Sequence, residues 1–277
     1  MSLLNCAGRV LDLTTPQVMG ILNVTPDSFS DGGRFLLPDT ALRHAEQMVA
    51  AGAAMIDVGG ESTRPNATPI SVDEEIRRVV PVIERIAAQL PVPISIDTSK
   101  PAVMRAAIAA GAGFINDVRA LQLPGALTTA VALKVPVCLM HMSGEPQVMQ
   151  QAPSYSDVVA EVIDFLRARI AAAVQAGLNL TQIVIDPGFG FGKTLAHNVQ
   201  LFVHLPELAA IGVPLLVGLS RKSMLGGITG SAVDDRLIES ISAAVLAVER
   251  GARLIRVHDV AATVRALKVV AAIHAAD

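Results

Sequence analysis

The sequence predicts a (β/α)8 barrel of the TIM type, class α/β, with a short N-terminal hairpin. Three observations carry this. Short apolar runs alternate eight times with longer, Ala-rich segments of helical spacing. The runs are continuously apolar, as in a parallel sheet covered on both faces. Each run also ends in a polar or charged residue, as strands do when their C-terminal ends converge on a site. The 277 residues suit either one large α/β domain or two small ones, and the eight units favour one. Residues 1–16 are read as the hairpin, closing the bottom of the barrel, and 17–277 as the barrel itself. A doubly wound sheet is the alternative.

The expected strands are 17–24, 54–59, 94–98, 114–118, 136–141, 183–186, 214–219 and 254–258. Helical spacing is clearest over 72–90, where Ile76, Val79, Val80, Ile83 and Ile86 fall on one face. Further helices are expected over 40–51, 102–110, 158–176 and 233–250. Gly52, Gly111, Gly177, Gly212 and Gly251 stand where helices should end, and Asp39 and Asp157 where they can be capped at the start.

Composition narrows the function. The chain is 52% hydrophobic, yet no apolar stretch reaches the roughly 20 residues that span a bilayer. Residues 1–6 lack the basic stretch and long apolar core of a secretory signal, so a cytoplasmic protein is expected. A net charge of -3, one Tyr and no Trp offer nucleic acid neither attraction nor stacking surfaces. Cys6 and Cys138 form no metal-binding or redox pair, and Cys138 is expected to be a buried thiol.

The run ends supply the candidate site. In chain order they are Asn23, then Gly60-Glu61-Ser62-Thr63-Arg64-Pro65, Asp97-Thr98-Ser99-Lys100, Asn116-Asp117, His141, Asp186-Pro187-Gly188, Ser220-Arg221-Lys222-Ser223 and Arg256-Val257-His258-Asp259. Asp97, Asn116, Asp186 and Lys222 combine donors and acceptors of both charges, as the edge of a planar heterocycle requires. Arg64, Arg256 and His258 add positive charge from the two walls flanking Asn23. That suits a pyrophosphate with a magnesium ion. Taken singly, several residues have plainer readings. Asp97 could cap a helix, Asn116-Asp117 could form a turn, Arg256 could pair with Asp259, and Lys193 and Arg221 could be solvated. His44, His197, His204 and His274 are expected on helix surfaces. His141 is either a ligand contact or a support behind one. The stretch Gly188-Phe189-Gly190-Phe191-Gly192-Lys193-Thr194 is not a phosphate loop, because Pro187 stands where the first glycine must be. Its glycines are also wrongly spaced for a dinucleotide fold.

These motifs resemble those of the dihydropteroate synthase family, pterin-binding enzymes of folate synthesis inhibited by sulfonamides. The matching pieces run in family order: 23–33 (Asn23-Val24-Thr25-Pro26-Asp27-Ser28-Phe29-Ser30-Asp31-Gly32-Gly33), 60–65, 96–98, 115–117, 186–193, 218–223 and 256–259. The resemblance implies condensation of hydroxymethyl-dihydropterin pyrophosphate with p-aminobenzoate, giving dihydropteroate and pyrophosphate. It implies that Asp97, Asn116, Met140, Asp186, Phe191, Lys222 and Arg256 hold the pterin. Asn23, Thr63, Arg64, Arg256 and His258 would hold the pyrophosphate, with Asn23 also binding magnesium. Phe29, Thr63, Pro65, Lys222 and Ser223 would form the aminobenzoate pocket. Asp97, Lys222 and Arg256 are the implied catalytic residues. The loops over 25–37 and 62–71 are expected to close over the site. A homodimer through the outer helices of the last units is implied, and the apolar stretch 238–248 is compatible with it.

Three positions depart from the commoner family residues: Asn66, Ser143 and Val148. Two rivals share much of the pattern. A pterin-binding methyltransferase acting on a corrinoid protein needs neither Arg64 nor the Ser220-Arg221-Lys222 run. An inactive pterin-binding paralogue would be expected to have lost some of these polar residues.

Overall fold

The computed structural model describes residues 3–25, 37–62, 68–144 and 153–276. Eight parallel strands form one sheet: β3 (Gln17–Asn23), β4 (Met55–Gly59), β5 (Ile94–Asp97), β6 (Phe114–Asp117), β7 (Val137–Met140), β8 (Ile183–Asp186), β9 (Leu216–Val217) and β10 (Leu254–Val257). Each pairs with its sequence neighbours, and β10 pairs with both β3 and β9. The ring closes through a parallel bridge between Ile185 and Leu215. The barrel is therefore the expected one. The run over 214–219 contributes a strand of only two residues.

The outer layer is α1 (Leu37–Ala50), α2 (Val72–Gln89), α3 (Pro101–Ala109), α4 (Ala126–Leu133), α5 (Val158–Gln175), α6 (Leu195–Val203), α7 (Leu205–Ala209), α8 (Ser223–Thr229), α9 (Leu237–Glu249) and α10 (Val260–His274). Local chemistry explains the starts. Ser71 caps α2 by accepting from the Glu74 amide, and Asp73, Glu74 and Glu75 complement the helix dipole. Asp157 caps α5 through the Val159 and Ala160 amides. Asp39 is not a cap but lies in the first turn of α1, paired with Arg85. The helix expected from 233 begins at Leu237, after a short 3-10 turn at Val233–Asp235. The five glycines expected to end helices have φ between 96° and 115°, the left-handed conformation of a C-terminal cap.

Strand alternation divides the interior into two cores. Outward residues such as Val18, Ile56, Ile96, Ile115 and Ile185 pack with Val79, Ile83, Leu166 and Leu201 of the helices. Inward residues fill the lower lumen: Met19, Met55, Phe114, Cys138, Val184, Leu216 and Leu254. The runs look continuously apolar because both faces are buried, one in each core. Each large side chain buried there contributes about 2 kcal/mol.

The floor is sealed by the expected hairpin, β1 (Leu3–Cys6) and β2 (Arg9–Asp12), paired antiparallel. It adds Leu4, Cys6, Leu11 and Leu13 to the lower core. Arg9 pins it by donating to the carbonyls of Val92 (2.5 Å) and Ala87 (2.7 Å). Gly113 admits its close approach, since a Cβ there would come within 2.4 Å of the Cys6 backbone. With the floor apolar and closed, the polar inward residues collect at the opposite end, where the strands terminate.

Candidate active site

Strand register places the polar residues. Asn23 lies opposite Gly59, Gly59 opposite Asp97, and Asp97 opposite Asn116. Met140 lies opposite Asp186. All are two residues or more above the apolar floor on inward positions. Asn116 faces in, while its neighbour Asp117 faces out and accepts from the Arg119 and Leu121 amides and the Ser99 hydroxyl.

Arg256 joins this ring. Its Nε donates to Asp57 Oδ2 at 2.6 Å and its Nη2 to Asp97 Oδ2 at 2.8 Å. Asn116 Nδ2 donates to the same Asp57 oxygen at 3.1 Å. Asp57 Oδ1 is buried with no hydrogen-bond partner among the described residues. Asp57 is the site residue that reading only the run ends misses. Its signal was present: a lone carboxylate inside Met55-Ile56-Asp57-Val58-Gly59, two residues before the strand end and so on the same face.

Opposite stands a pair of cationic and anionic groups. Asp186 Oδ1 accepts from the Gly188 amide at 2.7 Å. Lys222 Nζ donates to the Phe189 carbonyl at 2.5 Å and lies 4.8 Å over the Phe191 ring. Burial raises the Asp186 carboxyl above its ordinary pKa, opposed by Lys222. Burial lowers Lys222 to about 8, opposed by Asp186. Burial also raises Asp97 to about 7; Arg256 opposes this, while Asp57, Glu75 and Asp117 add to it. Burial works against the Arg256 charge, but Asp57 and Asp97 outweigh it and hold its pKa above the ordinary value.

The plainer readings of single residues are mostly displaced. Asp97 caps no helix; the residue before α3 is Lys100. Arg221, not Arg256, takes Asp259, at 2.6 and 3.0 Å. Lys193 is buried beside His141, which is buried too. His258 lies at the rim, its Nδ1 3.0 Å from Ser220 Oγ. Ser223 is exposed at the first position of α8. Cys6 and Cys138 are both buried free thiols. Phe29, Thr63, Arg64, Pro65, Asn66 and Val148 lie outside the described residues, as do most of the two loops expected to close over the site. β4 and β10 both flank β3, so Arg256 stands on a strand adjoining that of Asn23.

A barrel with a sealed floor and this donor–acceptor lumen is a binding enzyme for a flat, polar heterocycle, and the comparisons agree. The family model described as "Pterin binding enzyme" matches residues 19–258. The dihydropteroate synthase of Escherichia coli is 53% identical over 265 residues, covering 96% of this chain and 94% of its own. That of Haemophilus influenzae is 52% identical, covering 94% of this chain and 95% of its own. The Xanthomonas albilineans dihydropteroate synthase with 4-aminobenzoic acid superposes with a TM-score of 0.94 at 56% identity, covering 99% of this chain and 98% of that one. The same protein in complex with 7,8-dihydropteroate gives 0.91 at 54% identity, with 99% of both chains covered. The chain belongs to the dihydropteroate synthase family. Among the described residues, no helix is long and apolar enough to cross a membrane.

Proposed function

We propose that the protein is a dihydropteroate synthase, a transferase that moves a pterin-methyl group from pyrophosphate to the amine of p-aminobenzoate. The lumen carries this reading. In this reading Asp97, Asn116, Asp186 and Lys222 surround the pterin, with Met140, Phe191 and Arg256 at its walls. Carboxylates there accept from the amino and ring N–H groups of a pterin, and Lys222 donates to its carbonyl edge. Asp57 Oδ1 offers a further acceptor at the bottom.

Pyrophosphate faces Asn23, Thr63, Arg64, Arg256 and His258. The carbon–oxygen bond to pyrophosphate breaks first, and its electron pair leaves with the diphosphate, whose charge Arg64, Arg256 and His258 offset. The cation left on the exocyclic carbon spreads into the ring, where Asp97 stabilises it. The aniline nitrogen, placed by Phe29, Thr63, Pro65, Lys222 and Ser223, forms the new carbon–nitrogen bond and loses its proton to the departing diphosphate. Excluding water protects the cation from hydrolysis.

The residues fit a magnesium ion. Magnesium takes one or two protein oxygens, keeps several waters and binds substrate phosphates. Asn23 ends its strand beside Gly59, with a side-chain oxygen 3.5 Å from the position a Cβ on Gly59 would take. Asn23 would hold the ion, which supplies charge neutralisation of the leaving diphosphate.

The protein acts as a homodimer in this reading. A groove of about 550 Å³ between α6, α8 and α9 is lined mostly by apolar side chains, with Thr229, Asp235, Glu239 and Ser242 among them. Ile228 and Ile238 there are 59% and 77% exposed, and Val203 and Leu246 about half exposed. An exposed apolar patch of this kind marks an interaction surface. A cytoplasmic setting accompanies it, consistent with two free thiols.

The test is pyrophosphate release from the pterin pyrophosphate with magnesium, with and without p-aminobenzoate. Release that requires aminobenzoate, with dihydropteroate appearing in step, is expected. Release indifferent to aminobenzoate defeats the proposal.

A further inference from the structure

Lys193 is 3% exposed and is used by no step above. Its ammonium has three donors and meets three acceptors. Nζ donates to the carbonyls of Gly188 at 2.9 Å and Phe191 at 3.2 Å, and lies 2.9 Å from His141 Nδ1. The first two acceptors belong to the turn that follows β8; the third belongs to the residue that follows β7. One side chain therefore ties two adjacent walls of the lumen.

The turn is shaped for that tie. A Cβ on Gly188 would come within 1.9 Å of the His141 carbonyl oxygen, and one on Gly192 within 2.2 Å of the Ser143 carbonyl oxygen. The turn is thus laid directly on the 141–143 backbone. Asn198 holds it from behind, accepting from the Gly190 amide at 2.8 Å. Tyr155 donates to the Gly192 carbonyl at 2.8 Å. Lys222 takes the remaining Phe189 carbonyl from the lumen side. Tyr155 shares this bridging, since its hydroxyl also hydrogen-bonds Ser143, but it is half-buried, whereas Lys193 joins the turn carbonyls to the His141 ring from a buried position.

We propose that Lys193 is a positioning residue for pterin binding: it fixes the Gly188–Gly192 turn, and with it the Phe191 ring and the Asp186 carboxylate, against the wall carrying Met140. This rests on the reading that the lumen binds a pterin. An ammonium donating to Nδ1 makes His141 a neutral ring protonated at Nε2. Burial and the Lys193 charge, which lower the His141 pKa to about 3, agree with that neutral state. Burial lowers Lys193 itself to about 7, opposed by Asp186.

Three readouts test it. In Lys193→Met the KM for the pterin pyrophosphate should rise about tenfold, the yield of losing charge-assisted bonds, with the KM for p-aminobenzoate changed by less than about twofold. The calorimetric Kd for 6-hydroxymethylpterin should rise by the same factor. A merely structural lysine would lower the active fraction, and so kcat, and leave both constants alone; that result overturns the proposal. The third readout needs no variant. In wild-type protein labelled with 15N-histidine, at about pH 6 where an ammonium of this pKa keeps its proton, His141 should show a bare Nδ1 and a protonated Nε2. A protonated Nδ1 overturns the proposal even if Lys193→Met does not fold. Wild-type protein that binds the pterin but releases no pyrophosphate defeats the synthase reading alone, and the Kd ratio then decides Lys193. Wild-type protein that does not bind the pterin defeats both.

Discussion

Arg256 Nη2 donates to Asp97 Oδ2 at 2.8 Å across the top of the lumen. The cation assigned to pyrophosphate and the carboxylate assigned to the pterin are thus partners before substrate enters. In the proposed reaction a diphosphate would compete for the guanidinium and free Asp97 for the pterin. Asp97→Asn keeps the shape and removes the charge that faces the developing cation. Turnover should fall about a hundredfold or more, while pterin binding weakens only a few-fold. Steady-state kinetics with both substrates varied would read the split. Equal losses in kcat and in pterin affinity would remove Asp97 from the charge-stabilising role.

Asp57 organises that partnership from below. Its Oδ2 receives both Arg256 Nε and Asn116 Nδ2. Asp57→Asn leaves Arg256 with one carboxylate instead of two, weakens the acceptor at Oδ2 to a neutral amide oxygen, and puts a donor at the Oδ1 position assigned to the pterin. A loss of about 2 kcal/mol, roughly thirtyfold in kcat/KM for the pterin substrate, is expected. An unchanged kcat/KM would make Asp57 a spectator.

The pH dependence follows from Asp97. Its carboxyl is raised from 3.8 to about 7, so between these values the folded protein holds a proton that the unfolded chain has released. Stability from this group is therefore full below about pH 4, falls as pH rises toward 7 and is flat above it. Asp97→Asn should lack that fall, so its urea midpoint relative to wild type should improve between pH 5 and pH 8. Activity runs the other way. The reaction needs the ionised form, so kcat/KM for the pterin should rise through about pH 7. A profile flat from pH 5 to 8 would contradict both statements.

The barrel was legible because its signals are local. Eight apolar runs, each with a polar end, and glycines after the helices reflect rules acting over a few residues. The polar ring was legible for the same reason: Asn23, Asp97 and Asp186 each end a strand, and Asn116 is one residue short of an end. Asp57 was missed because it sits inside a run, where only knowledge of which face looks inward separates a ligand from a fault. The pairing of Arg221 with Asp259 and of Arg256 with Asp57 was also hidden. Arg256 and Asp57 are 199 residues apart in the chain, and only barrel closure joins them. The buried state of Lys193 was equally obscure, since its acceptors are two backbone carbonyls and a distant ring.

The apolar groove yields a prediction independent of catalysis. Ile238 projects from α9 and is 77% exposed in the monomer. If a second copy covers it, Ile238→Glu places a charge in the apolar centre of that interface. Sedimentation at micromolar concentration should show a dimer for the wild type and a monomer for the variant, with the same circular dichroism. A wild-type monomer would leave the groove to another occupant.

Lys100 gives the sharpest test of stability. Its Nζ lies 2.7 Å from Glu75 Oε2, 2.9 Å from the Ile70 carbonyl and 3.1 Å from Glu61 Oε1. Glu61 Oε1 also accepts from the Ile70 amide at 2.8 Å. Glu75 is fully buried, and its Oε1 has no hydrogen-bond partner among the described residues. One ammonium thus compensates a buried carboxylate and ties residues on both sides of the 63–67 segment. Lys100→Met strips that compensation, and breaking a buried pair from one side costs about 3–5 kcal/mol. Glu75→Gln should cost much less, because Lys100 retains Glu61 and the Ile70 carbonyl. Combining Lys100→Met with Glu75→Leu should recover most of the loss, since neither buried charge then remains at that contact. Urea unfolding at neutral pH reads all three. A Lys100→Met protein within about 1 kcal/mol of wild type would mean that the lysine is not the counter-charge of Glu75.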